Sequence, residues 1–107
     1  MRAIVGIVAC ALVLVAPLRA AQTQTSSNSS VIRQVFGSYG WQAVRVASCE
    51  SGLSVWARNG QYLGLFQMGS HERAVYGHGW DAWSQSRAAY RYFRDSGYDW
   101  SPWACKP

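Results

Sequence analysis

Glu50 is the residue whose type and surroundings best suit acid–base chemistry. The chain has five acidic residues: Glu50, Glu72, Asp81, Asp95 and Asp99. Asp81 stands where a helix N-cap is expected, Glu72 in a helix's first turn, and Asp95 and Asp99 beside a glycine-containing turn, which are structural or surface positions. Only Glu50 follows a run of Val, Ala and Cys, and a carboxyl group in an apolar setting can hold a proton for a leaving oxygen. The alternative is a solvated glutamate at a helix end.

Cysteine is the second residue type that could do chemistry, and here it favours a structural role. Cys10 lies in an apolar N-terminal stretch that continues too far beyond it for a lipid-modified cysteine. In an exported protein the remaining pair, Cys49 and Cys105, would form a disulfide. Closing this loop of roughly 57 residues would contribute about 4 kcal/mol in the loop-entropy description. A nucleophilic Cys49 served by His71 or His78 is the alternative, but no Cys/His spacing supports it. A zinc site is not favoured, because the chain has only two histidines.

Four helices and one hairpin are expected to position these residues. Apolar spacing predicts a helix from Val31 to the glycines at 37 and 40, and a second from about Trp41 to Glu50. The pair Asn59-Gly60 predicts a β-hairpin or an extended loop. Further helices are expected for Ser70–Tyr76, capped by Ser70, and from an Asp81 cap to about Ser96. The side chains expected to face the core are Ala43, Val44, Ala47 and Cys49 in the second helix, and Ala82, Ala89, Tyr92 and Phe93 in the last. The predicted class is a mostly helical α+β domain.

Residues 1–21 have the layout of a secretory signal peptide. The segment begins with the basic Arg2, continues with an uncharged, mostly apolar stretch from Ala3 to Leu18, and ends in Arg-Ala-Ala. This stretch is short for a membrane span, which needs about 20 apolar residues. We therefore expect export and removal of the segment. Retention as an anchor is the alternative, because Leu18 or Arg19 would stand where the cleavage site prefers a small residue.

The rest of the chain divides into a spacer and one domain. Residues 22–30 read QTQTSSNSS, a polar tract expected to be a disordered linker. Residues 31–107 then form a domain of a size at which one core gives marginal stability, so a covalent link is expected. Without Arg2 and Arg19 the chain has eight basic and five acidic residues, a net charge of +3. This charge suits either an anionic wall or simple solubility. The dispersed arginines do not favour nucleic-acid binding.

Three short motifs resemble a known family. Cys49-Glu50-Ser51-Gly52, Asn59-Gly60 and Gly64-Leu65-Phe66-Gln67-Met68 look like the lysozyme-like domain of soluble lytic transglycosylases. The Cys-Glu-Ser-Gly form with a distant partner cysteine is also similar to resuscitation-promoting factors. The resemblance covers about Ile32 to Cys105. The segment Gln85–Phe93 resembles the family's third motif, with Gln85 in place of the usual Asn, which leaves the role of Gln85 open.

The resemblance implies roles for five residues. Glu50 would be the general acid and later the base. Ser51 would orient Glu50 or the sugar, and Gln67 would bind substrate from a loop facing Glu50. Tyr62 and Tyr92 would line the groove, with Tyr92 bonding Glu50. The alternatives are a backbone-bonded loop residue for Gln67 and core packing for both tyrosines.

The stretch of sequence after Glu50 contains no acidic residue, and this bears on which sugar product the reaction would give. From Ser51 to His71 there is no Asp or Glu. A retaining glycosidase needs a second carboxyl group about 5 Å from the first, and an inverting enzyme one at about 6.5 to 9.5 Å. Substrate-assisted chemistry is therefore favoured: the N-acetyl group of N-acetylmuramic acid stabilises C1 and its own 6-hydroxyl attacks, giving a 1,6-anhydro product. Glu72 or Asp81 could still reach the site in space, which keeps hydrolysis open.

Aromatic residues fit a sugar groove, because rings stack on the C–H faces of pyranoses. All six tryptophans and all six tyrosines lie after the N-terminal segment. We expect three tryptophans to be exposed and available to sugar, and the other three to pack in the core or tail. The first group is Trp56, Trp80 and Trp83, and the second is Trp41, Trp100 and Trp103.

Together these features predict a secreted, monomeric peptidoglycan lytic transglycosylase of the bacterial cell wall. It would act on glycan strands at the MurNAc–GlcNAc β-1,4 bond, without a cofactor or metal and without stable membrane association after signal removal. No glycine-rich phosphate loop or metal-ligand motif appears in the sequence. The alternatives are a muramidase-type hydrolase, a non-catalytic wall-binding or signalling module of the same fold, and a disulfide-linked structural domain.

Overall fold

The computed structural model describes the backbone of residues 2–107 and the side chains of residues 19–107. The elements in chain order are helix α1 (Arg2–Phe36), a 3₁₀ turn (Gly37–Tyr39), helix α2 (Gly40–Ser51), strands β1 (Arg58–Asn59) and β2 (Tyr62–Leu63), and helices α3 (Ser70–Tyr76) and α4 (Ala82–Asp95). The chain is mostly helical with one small antiparallel sheet, which confirms the predicted α+β composition.

The predicted signal peptide falls mostly outside the description of side chains. Of residues 1–21, only Arg19, Ala20 and Ala21 have described side chains, and all three are exposed. Cys10 also lies outside that description. Among the described residues, no helix combines the length and the apolar character needed to cross a membrane.

Residues 22–30 differ from the disordered linker that their composition predicts, because they belong to α1. Asn28 is only 6% exposed, and its side-chain amide donates to the carbonyl of Leu53 at 3.0 Å. The hydroxyls of Thr23 and Thr25 bond to carbonyls one turn earlier. The composition of residues 22–30 predicts disorder because the tract has few apolar side chains to bury. Composition does not predict the hydrogen bond between the Asn28 amide and the distant Leu53 carbonyl. Because of that bond, the packed body begins at Asn28 rather than at residue 31.

The core lies where α1, α2 and α4 meet. α1 packs against both other helices, and its buried Phe36 stacks on Phe66 and Trp100. The fully buried residues of the other two helices are Ala43, Val46 and Ala47 in α2, and Gln85, Ser86, Ala88, Ala89 and Phe93 in α4. Ala43, Val46 and Ala47 have the i, i+3, i+4 spacing of one helix face. The predicted Val44 and Cys49 lie off this face: Val44 is half-buried and Cys49 is exposed.

Turn chemistry ends α2 where the sequence predicts. Gly52 takes a left-handed conformation (φ 63°), and its N–H bonds to the carbonyl of Ser48 at 2.9 Å. The left-handed conformation continues at Leu53 (φ 63°), a rare state for a residue with a side chain. The chain thus turns sharply just after Glu50 and leaves that residue on the last turn of the helix.

The hairpin predicted from Asn59-Gly60 is confirmed. Asn59 pairs with Tyr62, so Gly60 and Gln61 form a two-residue loop, and Gly60 has a positive φ of 61°. Beyond the hairpin, Leu63 exchanges two backbone hydrogen bonds with Met68 at 3.2 and 3.1 Å. This bridge closes the loop of residues 64–67 against the hairpin.

The starts of α3 and α4 use different caps. Asp81 caps α4 as predicted, with its carboxylate accepting from the N–H of Ser84 at 2.9 Å. Ser70 was expected to cap α3, but the N-cap is Gly69 and Ser70 is the first helical residue. The Ser70 hydroxyl instead bonds to the side chain of Gln61 in the hairpin loop. Ser70 thus bonds to a residue of another element, and local spacing does not predict such a bond.

Candidate active-site cleft

The end of α2 is covalently joined to the C-terminal tail, residues 100–107. Cys49 and Cys105 form the predicted disulfide, with their Cα atoms 6.0 Å apart. Neither sulfur is a free thiol, so Cys49 is not a nucleophile in this state. The disulfide brings the tail beside Glu50.

Glu50 is half-buried at this junction. Its Oε2 accepts a hydrogen bond from the main-chain N–H of Cys105 at 3.1 Å. Its Oε1 makes no hydrogen bond with the residues whose side chains are described. One oxygen is therefore held by the tail, and the other has no protein partner.

Glu50 lines a cleft of about 510 Å³ whose walls come from α2, the hairpin, α3, α4 and the C-terminal tail. The lining residues are Glu50 of α2, Asn59, Gln61 and Tyr62 of the hairpin, Gln67, Met68 and Gly69 of the following loop, His71 and Glu72 of α3, Tyr92 of α4, and Pro102, Trp103 and Ala104 of the tail. The structure thus brings together four of the five predicted site residues: Glu50, Tyr62, Gln67 and Tyr92.

Ser51 does not line the cleft, contrary to the expectation that it binds substrate. Its Oγ lies 3.0 Å from the carbonyl of Ala47 and 2.8 Å from that of Leu65, and it accepts from the N–H of Ser54 at 3.3 Å. The hydroxyl joins the end of α2 to the loop after the hairpin. These contacts agree with a Ser51 that orients the end of α2, and that role stays a prediction.

Gln67 both holds its loop and faces the cleft. Its Nε2 donates to the carbonyls of Ala57 and Gly64 at 3.2 and 3.1 Å, and its backbone has a positive φ of 48°. Because both partners are acceptors, the amide nitrogen must face the backbone. Oε1 has no partner among residues 19–107, which leaves it as the acceptor that Gln67 can offer to a ligand.

The two predicted tyrosines both line the cleft, on different elements. Tyr62 is 46% exposed on β2. Tyr92 is half-buried between the rings of Tyr76 and Trp103, at 5.5 and 5.0 Å between centroids. Burial raises the pKa of the Tyr92 hydroxyl, and the negative charge of Glu72 raises it further. Within the described part of the chain, Tyr92 makes no hydrogen bond to Glu50.

Glu72 is the functional candidate that the sequence placed in a purely structural position. It lies in the first turn of α3, as predicted, yet it also lines the cleft with Glu50. The sequence left open that Glu72 or Asp81 reaches the site, and Glu72 lines the cleft whereas Asp81 does not. The sequence offers one weak signal for this, since α3 begins directly after the loop that carries Gln67.

The two histidines differ in position. His71 is exposed and lines the cleft. His78 lies outside it, where burial, and secondarily the charge of Arg73, lowers its pKa. The Nε2 of His78 is buried and has no hydrogen-bond partner among the described residues.

Gln85 is fully buried and bonds to three backbone segments. Its Oε1 accepts from the N–H of Leu65 at 2.8 Å, and its Nε2 donates to the carbonyls of Val55 and Gly79 at 3.1 and 3.0 Å. A Cβ on Gly64 would lie 2.4 Å from Gln85 Oε1, so only glycine fits there. Gln85 does not line the cleft, but it bonds to the loop that carries Gln67.

The tryptophans divide almost as expected. Trp56, Trp80 and Trp83 are exposed, and Trp56 stacks on Trp80 with centroids 5.4 Å apart, but none of the three lines the cleft. Trp100 and Trp103 are buried, and Trp103 forms part of the cleft wall. Trp41 is 61% exposed rather than packed, with the Arg33 guanidinium 4.6 Å above its ring.

Among the residues described here, no three His, Cys, Asp or Glu side chains are grouped so that they could hold a metal ion. Comparison of the chain with protein-family models, curated proteins and solved structures gives no match.

Proposed function

We propose that the protein is an exported peptidoglycan lytic transglycosylase with a lysozyme-like domain, and that Glu50 is its general acid and base. The observation that carries this proposal is the convergence of Glu50, Gln67, Tyr62 and Tyr92 on one cleft. Those residues come from three separate parts of the chain, and Glu50 and Gln67 belong to segments that resemble motifs of that family. The disulfide and the signal-like N-terminal segment support export.

The cleft supplies the groups that the reaction needs. Glu50 gives its proton to the glycosidic oxygen as the C1–O bond of N-acetylmuramic acid breaks. The N-acetyl group of the same sugar supports the developing charge at C1. Glu50, now a carboxylate, takes the proton of the 6-hydroxyl, whose oxygen bonds to C1 and closes the 1,6-anhydro ring. Glu50 ends in its starting protonation state, and no water is consumed.

The other residues bind and orient the glycan strand. The Gln67 Oε1 accepts a hydrogen bond from a sugar hydroxyl or acetamido N–H. The exposed ring of Tyr62 provides a surface for the C–H face of a pyranose. The tail residue Trp103 closes the wall behind Glu50.

The position of Glu72 supports a second candidate function, hydrolysis by a muramidase. A second carboxylate in the cleft could activate a water molecule while Glu50 protonates the leaving oxygen, as in inverting enzymes. In that mechanism Glu72 is essential, whereas in the transglycosylase mechanism it is not.

Digestion of purified sacculi distinguishes these candidates. The oxidised protein is incubated with sacculi, and the released muropeptides are separated and weighed by mass spectrometry. We expect anhydro-muramic ends, which are 18 Da lighter than reducing ends because no water is added. Release of only reducing ends would contradict the transglycosylase and support the muramidase.

Two matched substitutions test the residues. Glu50→Gln keeps the side-chain shape and should reduce product release by at least about 10³-fold, because it removes the proton donor. Glu72→Gln is the control, with an expected change of less than about threefold. A folded Glu50→Gln variant with wild-type activity would disprove the site. Sacculus binding without product from the wild-type protein would identify a non-catalytic module.

A further inference from the structure

We propose that the C-terminal tail is a positioning device for Glu50, in which the Cys49–Cys105 disulfide holds the main-chain N–H of Cys105 on the Glu50 carboxylate. Activity then depends on the oxidised disulfide beyond its effect on stability. This inference rests on the proposed function of Glu50, and it adds a means by which the redox state of the tail regulates the same site.

The arrangement is a closed cycle of three links. Glu50 follows Cys49 in the chain, Cys49 is bonded to Cys105, and the N–H of Cys105 returns to Glu50 Oε2 at 3.1 Å. This is the single hydrogen bond to the Glu50 carboxylate among residues 19–107. The cycle fixes the donor relative to the carboxylate through covalent bonds at the site itself, so a disulfide at this position does more than close a long loop.

The bond also has a catalytic consequence. When Glu50 releases its proton, Oε2 changes from an acid oxygen to part of a carboxylate. An N–H donor bonds a charged acceptor about twice as strongly as a neutral one. The Cys105 N–H therefore stabilises the charge as it develops on Glu50 in the transition state, and a preoriented donor does so without reorganisation. With Oε2 held, Oε1 is the oxygen left to exchange the proton with substrate.

The other contacts of the C-terminal tail indicate which part of it would loosen when the disulfide is reduced. Trp100 Nε1 donates to the side chain of Gln42 at 2.9 Å, and Trp103 Nε1 donates to the carbonyl of Phe66 at 3.0 Å. Both rings are buried. Beyond them, Lys106 Nζ bonds the carbonyls of Trp100, Ser101 and Trp103 at the surface. Loss of the disulfide should therefore leave the tail docked as far as Trp103 and loosen the segment that carries the Cys105 N–H.

A matched pair of variants isolates the N–H from the disulfide. Cys49→Ala/Cys105→Ala removes the covalent link but keeps the N–H, whereas Cys49→Ala/Cys105→Pro removes both, because proline has no N–H. Product release from sacculi is measured as kcat and KM, at a temperature where circular dichroism shows each variant folded. We expect kcat to fall about threefold to tenfold in the first variant and at least tenfold further in the second. KM should change less than about twofold in both.

The wild-type protein gives a second measurement that needs no variant. A dithiol reductant is titrated in, which converts the disulfide to two thiols while the dithiol becomes a disulfide. Activity and near-ultraviolet circular dichroism are followed in the same sample. We expect activity to fall about threefold to tenfold while the dichroism is retained, and to return on reoxidation. A loss that only parallels the loss of folded signal would overturn the proposal.

Wild-type kcat in both folded variants would also overturn it. Failure of the proposed function is a separate result, since the oxidised wild-type protein itself would then release no product from sacculi.

Discussion

At the residue scale, Gln85 and Gly64 show how one buried side chain fixes a loop. Gln85 uses its amide oxygen for Leu65 and its amide nitrogen for the two segments at Val55 and Gly79. Gly64 is the adjoining residue, with a positive φ of 79° and no room for a Cβ beside the Gln85 amide. The two residues therefore act as a unit that sets the course of the loop before Gln67.

We predict that Gly64→Ala lowers the free energy of unfolding by about 3 kcal/mol. The new methyl group adds left-handed backbone strain of about 1 to 2 kcal/mol, and it also displaces the buried Gln85 amide from its partners. Denaturation by urea, monitored by tryptophan fluorescence, measures the change.

Gly60→Ala is the matched control. Gly60 has nearly the same strained backbone (φ 61°), but no atom lies within 4 Å of a Cβ built there. Gly60→Ala should therefore lower the free energy of unfolding only by the backbone strain, about 1 to 2 kcal/mol. Equal losses in the two variants would show that the contact with Gln85 has no energetic weight. In the Gln85→Ala background, Gly64→Ala should cost less than in the wild type, because the clash is gone.

Residue roles could be predicted only where local spacing defines them. The motifs singled out Glu50 and Gln67, which line one cleft, and Asp81 was predicted as a cap by its position before a helical pattern. The roles of Glu72 and Gln85 were not predicted, because they arise from which elements meet in space. For Ser51 the motif left two roles open, orienting Glu50 or the sugar, and its hydroxyl bonds to neighbouring backbone.

At the element scale, the N-terminus of α4 depends on one carboxylate. Asp81 accepts hydrogen bonds from the N–H and the hydroxyl of Ser84, and these bonds, the backbone one first, lower the pKa of Asp81 below its ordinary value of 3.8. A lowered carboxyl pKa stabilises the fold at pH values above the unfolded pKa. That contribution is lost as the pH falls through the lower folded pKa.

We predict that Asp81→Ala lowers the free energy of unfolding by about 1 kcal/mol at pH 7, as for other N-caps, and by less as the pH falls below 3.8. Asp81→Asn is the control, because asparagine also caps helices but does not titrate. It should retain most of the stability at pH 7 and lose the pH-dependent part. Urea denaturation at several pH values measures both. An Asp81→Ala loss that stays constant down to pH values at which the wild-type cap is protonated would contradict the assignment.

Elements whose ends depend on local sequence signals were predicted well. Features that depend on contacts between distant residues were not. The ends of α2 and α4 and the hairpin follow from glycine conformations and an N-cap that act within a few residues. The continuation of α1 through residues 22–30 depends on the contact of Asn28 with Leu53, 25 residues away. No local pattern contains that information, and the same holds for Ser70, which bonds to Gln61 instead of capping its helix.

At the scale of the whole molecule, the disulfide links the two ends of the segment that forms the cleft. Cys49 and Cys105 are 56 residues apart, and the sheet, α3 and α4 all lie between them. In the unfolded chain the link restricts that entire segment, so its stabilising effect is global. Because the packed body is small, this contribution is a large part of its total stability.

We predict that reduction lowers the free energy of unfolding by about 2 to 4 kcal/mol, the lower figure reflecting residual structure in the unfolded chain. A domain of this size has a total of roughly 4 to 12 kcal/mol, so the reduced protein should still fold at low temperature. Guanidinium denaturation of the oxidised and reduced proteins measures the difference. A change below about 1 kcal/mol would mean that the tail is held chiefly by Trp100 and Trp103, whose buried rings and hydrogen bonds do not need the disulfide. The double variant Cys49→Ala/Cys105→Ala, measured without reductant, should match the reduced protein, because both lack the same link.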